Sequence, residues 1–548
     1  MRIVVDLTPL LPGGANGGAK PMVLALLRHL PDLAPDWEFI FLTAESSHAE
    51  LAVFDRENVR RLCIMHNPPQ DVASSSPQKI HWRSRIHRLM VRFLPAKAVD
   101  IAKRLYYRTS LQKKAPQGLL AGLHADLLFN PFTAPTYFDP KIPAVSIVYD
   151  LQFMAYPQFF SSDELFYRHQ HFESTVRLSS HIVTISNFVR QTVLENTNLS
   201  PHQVTSLPIG LVKPLLAPSE ERIQEILSVF GLTKKRFLLY PANFWLHKNH
   251  EMLLVAFQRF LKQNPSTNLK LVCTGALEER RNELTFFASR MKLEDSVLFP
   301  GFLSEEDLGA LYQAAQALIF PSLYEGFGIP ILEAMSVGIP VLCSNVTSLP
   351  EVAGEAAIYF NPGSPQEIAN SIQRIERKSA YREQLIVQGV KRLKEFSDAR
   401  GLAKRYLEIL QTTLAGEPEY RDYALEGISA DGWILQSGIY LLFPPSKKEE
   451  KREWQIILSL PEWFPTFATI QVHDKKNESV IKVELAPGET KELSYLLPAE
   501  TGYLVLNSSP IFSPLQLGVG KDTRSIGLYC VQSKIISSDS IIATLKDK

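Results

Sequence analysis

A chain of 548 residues with 58 Lys plus Arg against 57 Asp plus Glu, a formal net charge of +1, and 45% hydrophobic residues is too long for one core. At roughly 150 residues per domain it predicts about three or four units. Its balanced charge leaves no global electrostatic case for a nucleic-acid partner. The four cysteines, Cys63, Cys273, Cys343 and Cys530, lie far apart, mostly in apolar runs such as LKLVCTG and IPVLCSN, with no CxxC spacing. They read as reduced core thiols of a cytosolic protein and not as metal ligands.

The first residues, MRIVVDLTPLLPGG, carry no basic region ahead of a long apolar stretch. No apolar run in the chain approaches the ~20 residues that span a bilayer, so the expected location is the cytoplasm. From the first residue, short β-branched runs (RIVVDL, EFIFLTA, ADLLFNP, AVSIVYD, HIVTIS) alternate with amphipathic stretches such as AKPMVLALLRHL. This rhythm predicts a parallel sheet flanked by helices over residues 1–210. It restarts with RFLLYPAN, NLKLVCTG, SVLFPG, QALIFPS and IPVLCS, which predicts a second doubly wound domain over 211–415. FSDARGLAKRYLEILQTTL, with Ser397 as expected N-cap and Leu402, Tyr406 and Ile409 at helical spacing, is expected to close that second domain. From 417 to 548 the text changes to EWQIILSL, ATIQVHD, VIKVEL, KELSYLL, GYLVLN and SIGLYCV between turn residues, an all-β module that reads as a sandwich. The expected fold class is therefore α/β, two Rossmann-like domains in tandem plus a C-terminal all-β sandwich.

Three stretches carry chemistry. In PSLYEGFGIPILEAMSVGIPV, Gly326 and Gly328 flank Phe327 directly after a strand, so the backbone can approach a ligand and present N–H groups. Glu325 is expected in that loop and Glu333 in the first turns of the following helix, at the sheet edge where open α/β folds bind ligands. In YPANFWLHKNHEMLLVAF, Lys248 and Asn249 end a loop and open a helix. A cation beside a helix N-terminus there suits a departing diphosphate. In GGANGGAK, Gly13, Gly14, Gly17 and Gly18 follow the first strand and lead into a helix, a turn whose amides can face an anion.

The composite E-G-F-G-I-P-x-L-E-A-M-x-x-G-x-P-V, followed by S-L-P-E-V-A-G-E-A-A, resembles the retaining glycosyltransferases of family 4, which have the two-domain GT-B fold. The resemblance covers about 1–414 and is most specific between Pro241 and Pro362. It implies that Glu325 stands beside the transferred sugar, Glu333 on the ribose and Lys248 on the diphosphate. Gly17 and Gly18, Asn249 and the loop Gly326–Phe327–Gly328 then complete the donor site. VSIVYDLQF is similar to the family's H-D-L segment, which makes Asp150 a catalytic candidate, with Tyr149 in place of the histidine. VTISNFVRQTV resembles the segment that brings Ser186 and Asn187 near the cleft. Ala242 and Asn243 stand where the family commonly has an arginine, so more of the phosphate charge falls to Lys248 and loop amides.

The function so implied is transfer of a hexose, mannose by the wording of HKNH and GFGIP, from a GDP- or UDP-activated donor to a surface polysaccharide or lipid-linked glycan, with retention by same-face attack. No cofactor is expected. No Asp-x-Asp or His cluster is placed to hold a metal against the diphosphate. Two other readings stand beside it, a sugar-nucleotide epimerase on the same fold and a catalytically silent glycan-binding scaffold. Between Lys79 and Lys114 eleven basic residues face one acid, Asp100, with Trp82, Ile86, Leu89, Met90 and Phe93 interleaved. This reads either as a solvated insertion or as a peripheral contact with an anionic membrane, not as a nucleic-acid patch. In the β module, Trp433, Trp454 and Trp463 are expected in the core ahead of a sugar-stacking role. Asp522 and Arg524 are expected to pair on one strand face.

Overall fold

The computed structural model describes residues 1–11, 18–65, 118–132, 135–211, 214–377, 379–396, 398–416, 424–426, 433–435, 439–443, 451–476, 478–500, 502–510, 526–537 and 540–544. Gly13, Gly14, Gly17, the basic stretch 79–114, Ser397, Asp522 and Arg524 lie outside them, as does the side chain of Trp433.

Strands β1 (Arg2–Asp6), β2 (Glu38–Ala44), β3 (Val59–Met65), β4 (Leu127–Asn130), β5 (Ala144–Val148), β6 (His181–Thr184) and β7 (Val204–Ser206) form one sheet in the order β3-β2-β1-β4-β5-β6-β7. All its pairings are parallel. Strand β5 is buried along its whole length, as required when helices cover both faces of a parallel sheet. A second parallel sheet holds β8 (Phe237–Pro241), β9 (Lys270–Thr274), β10 (Val297–Gly301), β11 (Ala317–Phe320), β12 (Val341–Ser344) and β13 (Ala357–Phe360) in the order β10-β9-β8-β11-β12-β13. In both sheets the order reverses beside the first strand, which places a crevice beyond the carboxyl ends of β1/β4 and of β8/β11.

The helix Ala399–Ala415 departs from expectation. Its N-cap is Asp398, whose carboxylate accepts the Gly401 N–H at 2.7 Å. It does not close the second lobe but returns to the first, packing on the helix Ala19–Leu33 and on β5. Tyr406, fully buried, lies 6.0 Å from Phe129 of β4, centroid to centroid. The apolar stripe Leu402–Tyr406–Leu410 announces that a face is buried without saying against which lobe.

Beyond residue 416 two antiparallel sheets form the sandwich. One contains β14 (Ala424–Glu426), β16 (Ile439–Phe443), β21 (Gly502–Ser509), β18 (Ala468–His473) and β19 (Ser479–Leu485), in that order. The other runs β15 (Trp433–Leu435), β22 (Ile526–Ser537), β17 (Arg452–Ser459) and β20 (Thr490–Leu497), with β23 (Ser540–Thr544) paired to β22. In β17 burial alternates strictly, with Arg452, Trp454, Ile456 and Leu458 inward, the period-2 pattern of a strand with one face on a core. Trp454 is a core residue whose indole N–H donates to Ser533 Oγ at 2.8 Å, and Trp463 is half-buried against the same core.

The module also uses the outer face of its first sheet. Leu442 and Tyr503 are buried with Leu178 of the first lobe, and Phe138 packs on Tyr440 at 6.4 Å in an edge-on arrangement. Among the described residues, the main α/β core, by contrast, takes none of its buried members from beyond Leu410. A chain ending at Ala415 is therefore expected to keep both α/β lobes folded while exposing Phe138 and Leu178, apolar side chains whose burial contributes about 2 kcal/mol each. Circular dichroism should show a retained α/β melt, and light scattering should show concentration-dependent self-association absent from the full chain. Loss of the α/β transition would instead make the sandwich an integral part of the lobes.

Candidate functional site

The loops after β8 and β11 leave neighbouring strands at the point where the sheet order reverses, and each delivers one charged residue. Lys248 Nζ donates to Glu325 Oε1 at 2.6 Å across 77 positions of sequence. The side chains are only 17% and 12% exposed, so the pair sits in a partly desolvated cleft where a charge–charge contact is screened less than at the surface. Lys248 closes a short turn, Leu246–Lys248, whose final carbonyl accepts from Tyr240 Oη at 2.6 Å. Its ammonium also lies 5.5 Å from the centre of the Phe320 ring.

The side chain of Asn249, a residue expected at the donor, bonds within the protein. It adopts the left-handed conformation, φ 63°, and its amide donates to the carbonyls of Pro321 at 3.0 Å and Pro362 at 2.9 Å. Both amide hydrogens are committed to tying the β8 loop to the β11 loop. Glu251, in the first turn of the helix His250–Gln263, pairs with Arg280.

The loop Glu325–Gly328 is held from the segment after β12. The Glu325 N–H donates to Thr347 Oγ1 at 3.2 Å, and the Ser348 hydroxyl lies 2.9 Å from the carbonyl oxygens of both Glu325 and Phe327. The Phe327 side chain, expected at the donor, is instead 3% exposed and packs edge-on against Phe396. Its apolar ring is worth more in the core, and only its backbone lines the loop. Gly328, at φ 111°, starts the helix Ile329–Ser336, and a Cβ there would lie 2.8 Å from Leu349 Cδ2. A Cβ on Gly326 would collide with the carbonyl oxygen of Tyr149 in the first lobe. The glycine therefore lets the two lobes meet.

Glu333, the fifth residue of its helix, accepts from Tyr312 Oη at 2.6 Å. Burial raises its pKa above the ordinary carboxyl value, while the tyrosine hydrogen bond lowers it and recovers part of that shift. Nothing in the sequence signals Tyr312, which lies 21 positions away on a different helix.

On the first lobe, Asp150 follows β5. Its Oδ1 accepts the Gln152 N–H at 3.0 Å. Burial raises its pKa, the Gln152 bond and the charges of Arg168 and Lys248 oppose that rise, and Glu325 reinforces it. Asp150 Cβ stands 3.2 Å from where a Cβ on Gly326 would lie, which places it beside the Glu325 loop of the other lobe. Arg168, from the helix Ser162–Leu178, is a neighbour that the sequence reading missed. Tyr149 donates its hydroxyl to the Pro131 carbonyl at 2.7 Å, and burial holds its pKa well above 10. It is a neutral structural tie. Gly18 precedes the helix Ala19–Leu33, and a Cβ on it would stand 3.0 Å from Ile329 Cδ1, at the start of the second lobe's glutamate helix. Ser186 and Asn187 both reach the second lobe, Ser186 through a 2.7 Å hydrogen bond to the Gly326 carbonyl.

His247 and His250 flank Lys248, and burial first, then the Lys248 charge, pushes each imidazole down to about 3. A group that titrates near 3 when folded and near 6.5 when unfolded takes up its proton on unfolding. Its contribution is fully present above pH ~6.5 and is lost as pH falls toward 3. The denaturant midpoint should therefore fall as pH is lowered from 7.5 to 4.5. His250→Asn should flatten that dependence, and an unchanged slope in the variant would remove His250 from the account.

Comparison with known proteins gives both sequence and fold likenesses. Residues 223–392 match the family model of the glycosyl transferases group 1. That group 1 region contains Lys248, Glu325, Tyr312, Glu333 and Glu351. Over 254 residues the chain is 30% identical to O-antigen chain mannosyltransferase B of Escherichia coli, a match covering 46% of this chain and 66% of the relative. It is 26% identical over 234 residues to O-antigen chain mannosyltransferase RfbU of Salmonella typhimurium, covering 42% and 60%. The chain thus spans less than two thirds of either relative. Among solved structures, Anabaena Alr3699/HepE in complex with UDP and glucose superposes with a TM-score of 0.53 at 18% identity, over 75% of this chain and 100% of that one. WaaG, a glycosyltransferase involved in lipopolysaccharide biosynthesis, superposes with a TM-score of 0.50 at 14% identity, over 74% and 99%. At these identities the likeness establishes the fold, which is GT-B for the two α/β lobes. The sandwich stands outside the group 1 match.

Proposed function

We propose that the protein is a glycosyltransferase that moves a hexosyl group from a nucleotide sugar bound on the group 1 lobe to a glycan acceptor on the first lobe. The observation that carries this reading is the Lys248–Glu325 pair at the strand-order reversal, with Asp150 of the first lobe beside the Glu325 loop. An arriving diphosphate competes for Lys248. The lysine then neutralises charge that grows as the glycosidic bond breaks, while Glu325 is freed to stabilise the developing sugar cation. Glu333, held by Tyr312, takes the ribose hydroxyls. Asp150 orients or deprotonates the acceptor hydroxyl, and burial moves its pKa upward, the direction that strengthens a carboxylate as a base. Because Lys248 and loop amides supply the positive charge, the proposed transfer needs no added divalent ion.

Mannose is the proposed sugar and a surface polysaccharide or lipid-linked glycan the proposed acceptor, supported by the mannosyltransferase names of the relatives. Retention of configuration is part of the proposal. A thermal-shift comparison of GDP-, UDP- and ADP-sugars tests it, since ligand binding to the native state raises the melting temperature. Anomeric analysis of the product, with and without chelator, follows. No stabilisation by any nucleotide sugar, or nucleoside diphosphate release without acceptor, would sink the reading.

No helix among the described residues is long and apolar enough to cross a membrane. The basic stretch 79–114 carries the proposed peripheral contact at the inner face of the membrane. Neutralising Arg83, Arg85, Arg88 and Arg92 together is expected to reduce cosedimentation with anionic vesicles and to make the residue of binding less salt-sensitive. Equal sedimentation of variant and parent would assign the stretch to a solvated insertion.

A further inference from the structure

The helix Asn187–Glu195 of the first lobe begins with amides that its own turns cannot satisfy. Ser186, the N-cap, accepts the Val189 N–H at 3.1 Å. The N–H groups of Asn187 and Phe188 go to the other lobe instead, each to a different oxygen of Glu351, at 2.8 and 2.9 Å. Glu351 lies in the short helix Leu349–Ala353, directly after the Thr347–Ser348 pair that frames the Glu325 loop. Its backbone is clamped by Arg392, which donates from Nε to the Val352 carbonyl at 3.1 Å and from Nη2 to the Glu351 carbonyl at 2.5 Å. An acid early in a helix ordinarily serves its own helix end. This one reaches 163 and 164 positions back in sequence to serve a helix of the opposite lobe.

The contact adds to the Ser186–Gly326 hydrogen bond one residue away. Together they fasten the first lobe to the loop that carries Glu325, at the place where the Tyr149 carbonyl crowds Gly326. Neither contact can survive separation of the lobes, because each has one partner on either side of the cleft.

We propose that Glu351 is a positioning residue that latches the lobes closed by capping the helix Asn187–Glu195 with both carboxylate oxygens. It touches neither of the reacting groups assigned above. It sets the population of the arrangement in which Asp150 lies beside the Glu325 loop, and its catalytic consequence rests on the proposed transferase reading. Two changes to the full chain weaken the latch from opposite sides. Glu351→Gln leaves one acceptor and turns an amide N–H group against a helix N–H. Asn187→Pro deletes one donor at a first helical position, where proline is well tolerated, and leaves Glu351 in place.

The test measures the distance between paired spin labels, one on each lobe's exposed surface, together with donor affinity and turnover. Both variants are expected to shift the label distances toward a longer, more open distribution. Donor Kd should stay within about threefold, since Lys248, Glu325 and Glu333, the charged groups proposed to hold the donor, all lie on the second lobe. Turnover should fall about tenfold, a size common for coupling between two states, and Glu351→Asp should recover part of it. Unchanged label distances in both variants overturn the latch whatever the activity. Longer distances in both support it even if no sugar nucleotide is found to bind, because that arm does not depend on the reaction.

Discussion

Glu325→Gln is expected to lower turnover by about 10²–10³-fold while leaving the fold and the donor affinity near those of the parent, a loss of roughly 3–4 kcal/mol of transition-state stabilisation. Glutamine keeps the volume and an acceptor for Lys248, so the 2.6 Å contact can persist as a neutral–cation hydrogen bond. What it removes is the negative charge beside the sugar when positive charge develops there. Lys248, relieved of its ionic partner, should hold a diphosphate at least as well as before, so KM for donor should stay level or fall while kcat drops. Lys248→Ala is expected to behave differently. It strands Glu325, whose side chain is 12% exposed, as an uncompensated buried charge, and it removes the diphosphate contact, so donor KM should rise along with the loss of kcat. Steady-state kinetics on the two purified variants decides. Turnover of Glu325→Gln within a few-fold of the parent would take the residue out of the chemistry.

Gly326→Ala is the second large effect, and it is steric. The added methyl would occupy the space of the Tyr149 carbonyl oxygen and press on Asp150 Cβ and Ile185 Cδ1, both at 3.2 Å. Either the Glu325 loop shifts or the lobes stand apart. A displacement of about 1 Å in positioned groups is enough to cost about 10²-fold in rate. Donor binding should be retained, because the methyl points at the first lobe, away from the proposed contacts of Lys248 and Glu333. A variant with normal kcat would show that the lobes need not approach this closely for turnover.

Much of this protein was legible without coordinates, for definite reasons. Continuous apolar runs alternating with amphipathic stretches can be satisfied only by parallel strands covered on both faces, so two doubly wound lobes followed from period and composition. The change to strict alternation in REWQIILS announced the sandwich in the same way. Local backbone chemistry was equally readable. The glycines around Phe327, with Gly328 at φ 111° just before its helix, answer demands of turns and caps that act within a few residues. The glutamates and the lysine stood out through the composite motif and its family resemblance, since each alone has an ordinary structural reading at a helix start.

What the tertiary structure decided is every contact that closes over long separations, since no local rule specifies which of several compatible surfaces a side chain meets. That Lys248 and Glu325 touch, that Tyr312 holds Glu333 and that Asn249 spends its amide on two prolyl carbonyls all depend on which strands lie side by side at the reversal of sheet order. Phe327 reads as a ligand contact from its neighbours, but its ring goes to the core, because burying an aromatic side chain outweighs local position. The helix Ala399–Ala415 reads as the end of the second lobe because it follows that lobe in sequence, yet it packs on the first. Its apolar stripe specifies that it must be covered, and only the three-dimensional arrangement of the lobes specifies by what.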